Sequence, residues 1–378
     1  MFNFDLDYFL LNLLLLLIFI IAGNKISFGR KKEKYIWICF IVFTFVLGSR
    51  YLRGNDYLRY QHTFLYDDDE SQIIFTAINR FLRGIGIGKY YFLYIYSIPF
   101  IVCALTFMKN LKIYARYLFP AFLLSFIFFN EYCIRQALGF SFVFMYMYYL
   151  FEKDNTLKNE NVYKKWIFCL FYAILAYGIH SVNALSIAII TIIYIFSFTT
   201  ISWKLSILGY IFAAFFFMSF FDWSYLENAL MLIGGISDKF SAYTNRGVLF
   251  FSENAFQEDY SRSTLGQLCS AISHCSLFYL GDKTIRSKCN SRMFYTLFNV
   301  YVVGTIFDIG FWNFELIRRV FDPMLSFWCF IFSFVLVKEM QYSVFDNLLL
   351  LMIPLSFIRD YLSYLLERGD MTLFIWDI

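Results

Sequence analysis

Arg50, Arg53, Gly54, Asp56 and Tyr60 crowd into eleven residues at the end of an apolar stretch. Guanidinium forks bind phosphate or carboxylate oxygens two at a time, which a lysine ammonium does not match. Arg50 and Arg53 are three apart, so a helix continuing through them puts both on one face. Gly54 lets the backbone turn, and Asp56 sets a carboxylate beside two cations. The plainer reading is a helix end whose arginines snorkel toward water, although a hydrophobic helix needs no basic cluster there.

Three further segments carry the same kind of chemistry. Asn130, Glu131, Arg135 and Gln136 lie in a short turn between two strongly apolar helices. An arginine opening such a helix is costly in lipid without a partner, and Glu131, four residues earlier, is the local candidate. His180 stands at Gly178-Ile179-His180-Ser181, where a neutral imidazole would accept a proton from a hydroxyl; a lone histidine is also often a structural residue. Arg318 and Arg319 open another apolar helix, with Glu315 and Asp322 as flanking acids that would make them an interfacial anchor. The acidic run Asp67, Asp68, Asp69 and Glu70 offers carboxylates to a divalent cation, yet such a run in a loop is ordinarily just solvated, and no resident metal is expected.

The elements that position these residues follow from composition. Of 378 residues, 60% are hydrophobic and 16% are charged, with 51 Phe and 30 Tyr. Soluble chains run near a quarter charged. Long apolar stretches recur from residue 6 to residue 358, which reads as an all-α polytopic integral membrane protein forming one multi-helix domain over 1–378. A secreted enzyme, a soluble nucleotide-binding fold and a nucleic-acid binder are excluded. The eight cysteines have no zinc-like spacing and read as small apolar fillers.

About twelve helices are predicted, near 6–23, 35–50, 90–107, 117–131, 134–151, 166–179, 182–201, 205–221, 265–281, 293–310, 320–337 and 345–363. Two longer loops, 51–89 and 222–264, remain between them. The first stretch has Asp5 and Asp7 before it and Lys25 to Lys34 after it, the reverse of a cleavable signal peptide. It is expected to be a retained helix with its N-terminus outside. The stretch 166–201 reads as two short helices turning near His180, because only two crossings leave Lys283, Arg286, Lys288 and Arg292 on the cytoplasmic side. On that topology 14 of 16 lysines fall inside and 12 of 16 arginines fall outside. Positive-inside topology needs charge of either type, so outer arginine in particular points to a site for an anionic, phosphorylated ligand.

Taken in order, the four segments resemble the EpsG/Wzy-type family of bacterial polysaccharide polymerases. The resemblance rests on Arg50-x-x-Arg53-Gly54-x-Asp56-x-x-x-Tyr60, on Asn130 with Arg135-Gln136, on His180-Ser181 and on Arg318/Arg319. It spans roughly residues 35–335. The family's late arginine is usually followed by a Tyr-Phe pair, where this chain has Val320-Phe321-Asp322-Pro323, and the doubled arginine leaves its equivalent open. The resemblance implies a glycosyltransferase of the cytoplasmic (inner) membrane, with its active site on the extracytoplasmic side. It would polymerise polyprenyl-diphosphate-linked oligosaccharide, which serves as both donor and acceptor, into a surface polysaccharide such as O-antigen, capsule or exopolysaccharide. On that reading Arg50, Arg53, Arg135, Arg318 and Arg319 hold diphosphate. His180 or Asp56 is the base, and Gly54, Tyr60, Asn130 and Gln136 support them. No cofactor is expected; the lipid bilayer, a chain-length regulator and a flippase are the surroundings and partners it implies. A ligase using the same donor and a flippase of lipid-linked sugars are the competing readings. The flippase is disfavoured because the centres of the predicted spans hold almost no ionisable groups.

Overall fold

The computed structural model describes residues 6–29, 32–51, 57–66, 72–151, 162–219, 264–289, 291–312, 315–338, 343–367 and 373–374. The first helices are α1 (Leu6–Ser27) and α2 (Lys32–Gly48), followed by a two-residue strand β1 (Arg50–Tyr51). Two short helices, α3 (Tyr57–Tyr66) and α4 (Ile73–Gly84), occupy much of the stretch 51–89 that the sequence leaves as loop. Then come α5 (Phe92–Met108), α6 (Ala115–Tyr132), α7 (Ile134–Phe151), α8 (Val162–Ile179), α9 (Val182–Phe196) and α10 (Trp203–Ser219). The last group is α11 (Thr264–Lys288), α12 (Arg292–Gly310), α13 (Glu315–Leu325), α14 (Trp328–Val337) and α15 (Val344–Glu367), closed by the strand β2 (Leu373–Phe374). The predicted loop 222–264 lies outside the described residues except for its last position, which begins α11.

The chain is an all-α, multi-pass membrane protein. Among the described residues, five stretches are long and apolar enough to cross a bilayer: Leu6–Ser27, Phe92–Tyr132, Arg292–Gly310, Ile317–Val337 and Val344–Leu366. Val182–Phe196 and Trp203–Phe216 are shorter apolar helices. Each of the twelve predicted spans overlaps a helix, although fewer are long and apolar enough to cross, and the eleventh, 320–337, divides into α13 and α14. The division falls at Ser326, whose hydroxyl donates to the Ser125 carbonyl of α6.

Phe92–Tyr132 is not one straight rod. Leu111 leaves helical backbone geometry within the 3₁₀ turn Lys109–Tyr114 that joins α5 to α6. The Phe100 and Phe126 rings lie 6.0 Å apart, whereas 26 residues of straight helix would separate them by about 39 Å. The chain therefore reverses at that turn. Phenylalanine then fills the middle of the bundle: the buried Phe126 ring meets Phe122, Phe129, Phe140, Phe144 and Phe327 as well. Edge-to-face and tilted rings pack densely with no polar atom to satisfy. Outward-facing residues such as Leu17, Ile41, Leu170, Ile174 and Leu351 remain exposed and suit a lipid surround.

Polar contacts gather at the two ends of the bundle. At one end Arg292 donates to the Tyr194 and Ile195 carbonyls, Arg286 pairs with Asp282, and Lys283 pairs with Asp346. Lys165 reaches the Tyr194 hydroxyl there too. The tight pair α8–α9 turns back at His180, at the other end, as two short crossings require. Lys283, Arg286 and Arg292 thus stand opposite Arg50, Arg135, Arg318 and Arg319.

Candidate functional site

The arginine end is built where α2 stops. The Ser49 hydroxyl turns back onto the Phe45 carbonyl, and Arg50 and Tyr51 extend to pair antiparallel with Phe374 and Leu373. The expectation that Arg50 and Arg53 share a face of a continuing helix is therefore corrected. Arg50 sits on extended backbone after the helix, because pairing with β2 satisfies backbone groups that a further turn would have used. Arg53, Gly54 and Asp56 lie outside the described residues, as does the acidic run Asp67–Glu70.

Arg50 is 3% exposed and its Nη2 donates to the Asn130 carbonyl at 2.9 Å. Its Nη1 stands 3.5 Å from Oε1 of Glu131, which is fully buried. That carboxylate also accepts the Tyr8 hydroxyl at 2.6 Å on Oε1 and the Tyr364 hydroxyl on Oε2. Residues from the first helix, the last helix and the middle of the chain thus meet on one carboxylate. The local i, i+4 reading of Glu131 with Arg135 did not include this arrangement. The helix breaks at Cys133, whose backbone is non-helical, so the two residues belong to different helices and the i, i+4 geometry is lost.

Arg135 starts α7 with its guanidinium over the rings of Tyr60 and Phe75, at 5.9 and 5.6 Å from their centroids. Such stacking holds a charged plane without consuming its in-plane donors. Its neighbour Gln136 donates from Nε2 to the Arg319 carbonyl at 2.6 Å, and the Gln136 carbonyl accepts Nδ2 of Asn183 at 3.1 Å. Asn183 in turn donates its backbone N–H to the His180 carbonyl. A continuous path of hydrogen bonds thereby links the His180 turn, the Arg135–Gln136 pair and the Arg318–Arg319 helix. His180 is half-buried in the turn between α8 and α9. Arg318 bonds through Nε to Asp308 at 3.0 Å and covers the Trp312 ring at 4.1 Å, a carboxylate partner ten residues back that neither flanking acid suggested.

Among the described residues, Nε and Nη1 of Arg50, Nδ2 of Asn130 and the hydroxyl of Tyr57 are buried donors with no hydrogen-bond partner. Burial, reinforced by the adjacent Tyr51 phenol, pushes the Tyr57 phenol well up, and Arg50 only partly offsets it. Tyr57 accordingly keeps its proton at neutral pH and acts as a hydrogen-bond donor.

Sequence reasoning brought forward Arg50, Tyr60, Asn130, Arg135, Gln136, His180, Arg318 and Arg319, and the structure assembles these at one end. It passed over Tyr8, Tyr57, Asn183, Asp308 and Tyr364, and it treated Glu131 only as a local partner. The usable signal for Asn183 and Glu131 was an amide and a carboxylate set inside strongly apolar helices.

The model of the EpsG family matches residues 33–375, nearly the whole chain. The chain belongs to the EpsG family. EpsG proteins are Wzy-type polysaccharide polymerases, and the matched region contains every candidate residue brought forward from the sequence, while Tyr8 lies before it. No curated protein and no solved structure matches the chain.

Within this EpsG chain Gly139 marks how closely α7 must approach its neighbours. A Cβ there would fall 2.1 Å from Nδ2 of Asn183 and 3.2 Å from the Ala176 carbonyl oxygen. Gly139→Ala is expected to push Asn183 off the Gln136 carbonyl and destabilise the protein by about 1–3 kcal/mol. A lowered melting temperature in detergent, with polymer output falling further than protein level, checks this.

Proposed function

We propose that the protein is a membrane glycosyltransferase that polymerises polyprenyl-diphosphate-linked oligosaccharide repeat units on the outer face of the cytoplasmic membrane. The observation that carries this reading is the set of orphaned donors on Arg50, Asn130 and Tyr57. Buried donors without acceptors cost about 1–3 kcal/mol each, and a ligand rich in anionic oxygens offsets that cost. A diphosphate supplies such oxygens, and arginine matches them.

On this reading the bond between the anomeric carbon and the diphosphate oxygen breaks. The electron pair leaves with the lipid diphosphate, whose growing charge the arginines stabilise in a partly dry site. The acceptor sugar hydroxyl forms the new bond to the anomeric carbon and gives its proton to His180 or Asp56. Arg53 would join Arg50, with Gly54, Tyr60, Asn130 and Gln136 shaping the site. Supporting the outer-face assignment is the bias of lysine toward the end that holds Lys165 and Lys283, which Arg286 and Arg292 share.

Of the doubled arginine, Arg319 is assigned to the diphosphate on its place beside the Arg135–Gln136 pair, and Arg318 to Asp308 and Trp312, which it touches. The backbone of Arg319 is also tied to the residue after Arg135. The test is purified protein in liposomes, given only lipid-linked repeat units. A ladder of lengthening products is expected; no ladder, with transfer occurring once a different acceptor is added, would identify a ligase instead. Arg319→Lys should reduce the ladder by about a hundredfold. Arg318→Lys, which keeps a cation beside Asp308, should cost less than about tenfold. The reverse ranking would reassign the two residues.

A further inference from the structure

Glu131 sits at the centre of the arginine end, yet the transfer reaction described above gives it no part. Its carboxylate is fully buried and is closed in by Arg50, Tyr8 and Tyr364. The pairing with Arg50 is unusual in two respects. At 3.5 Å the Nη1 to Oε1 approach is longer than the 2.7–2.9 Å typical of charge-assisted hydrogen bonds. Both carboxylate oxygens are instead taken by tyrosine hydroxyls, and Nε and Nη1 of Arg50 keep their donor capacity. Arg50 is held in place by other means, through Asn130 and through strand pairing with Phe374. Glu131 therefore contributes charge to Arg50 more than it contributes geometry.

We propose that Glu131 is a built-in counter-ion of the anion site. It neutralises buried Arg50 while the site is empty, and it weakens the hold on lipid diphosphate so that the leaving group departs after transfer. A buried arginine without a counter-charge would be costly. A hydrogen-bonded, bidentate carboxylate would compete too well with substrate. A carboxylate held back by two tyrosines meets both needs: it is near enough to balance the charge and too poorly aligned to occupy the guanidinium donors. Uniformly tight binding of donor and departing product adds nothing to turnover, which gives the carboxylate a kinetic purpose. This rests on reading the arginine end as a lipid-diphosphate site.

The test uses the full chain in nanodiscs and a polyprenyl diphosphate without sugar as probe, with dissociation constants measured for wild type, Glu131→Gln, Tyr364→Phe and Arg50→Gln. Glu131→Gln keeps the shape and one acceptor oxygen but removes the charge. It should bind the probe about tenfold more tightly, since the lost unit charge lies close to the ligand in a medium of low effective dielectric. It should also lower KM and kcat together for the lipid-linked repeat unit. Tyr364→Phe frees a carboxylate oxygen for Arg50 and should weaken probe binding. Should Glu131→Gln fail to fold, the direction of the Tyr364→Phe shift decides alone. Equal or weaker binding in folded Glu131→Gln, or tighter binding in Tyr364→Phe, overturns the counter-ion role. Wild type that fails to bind the probe, or Arg50→Gln that binds it as well as wild type does, overturns the diphosphate reading itself and this role with it.

Discussion

Arg50→Lys is expected to abolish long polysaccharide chains while the protein still inserts into the membrane in normal amount. The substitution retains the positive charge, so a purely electrostatic or topological role would survive it. What it removes is planar, multi-point donation. Arg50 now spends Nη2 on the Asn130 carbonyl and keeps Nε and Nη1 for other acceptors. A lysine has one nitrogen on a flexible stem and cannot hold Asn130 and grip a diphosphate in a fixed plane at once. Losing one well-placed donor to a developing anion typically costs about a hundredfold to a thousandfold in rate. The reconstituted ladder assay on lipid-linked repeats should accordingly show at most short products. Full ladders from Arg50→Lys, at wild-type protein level, would remove the guanidinium from the mechanism.

The second large effect is expected at a helix contact made without charged side chains. At Gly304 a Cβ would come within 2.6 Å of the Met324 Cβ, 2.8 Å of the Met324 carbonyl carbon and 2.9 Å of the Leu325 nitrogen. Two of those three atoms are backbone, which cannot swing aside as a side-chain tip does. Gly304→Val must therefore drive α12 and α13 apart. Overpacking of this kind costs about 3 kcal/mol or more when the obstacle is backbone. Because α13 carries Arg318 and Arg319, the displacement should also pull the Arg319 carbonyl away from Gln136. Thermal melting in detergent should show marked destabilisation, and polymer output should be lost even at temperatures where the variant stays folded. A variant with wild-type melting behaviour would show that the helices tolerate separation.

The class of protein and its helices were legible from composition and hydrophobic runs. Even the doubtful stretch 166–201 resolved into two helices turning at His180, because charge parity constrains how many times a chain can cross. The polar residues were legible as types, and in part as a set: Arg135 and Gln136 were identified together, and so were Arg318 and Arg319. What failed was partnership. Arg50 was expected on a helix and stands on a strand paired with Phe374. Glu131 was weighed only as a local partner of Arg135, and its contact with Arg50 was not foreseen. One non-helical residue, Cys133, is enough to undo an i, i+4 prediction.

By itself the sequence determined the solvent in which this protein lives, the approximate course of its helices and which residue types gather between them. Those properties are sums over neighbouring side chains, and a window of about twenty residues contains them. Only the tertiary structure decided which carboxylate balances which arginine. The contacts that do so join Tyr8 to Glu131, Arg50 to Asn130 and Tyr364 to Glu131, across 123, 80 and 233 residues. Such pairings depend on how helices pack and where each one stops. The bias of lysine toward one end and of most arginines toward the other was visible in the chain as a list of charges. The buried carboxylate beside Arg50 became visible only when the first and last helices closed upon it.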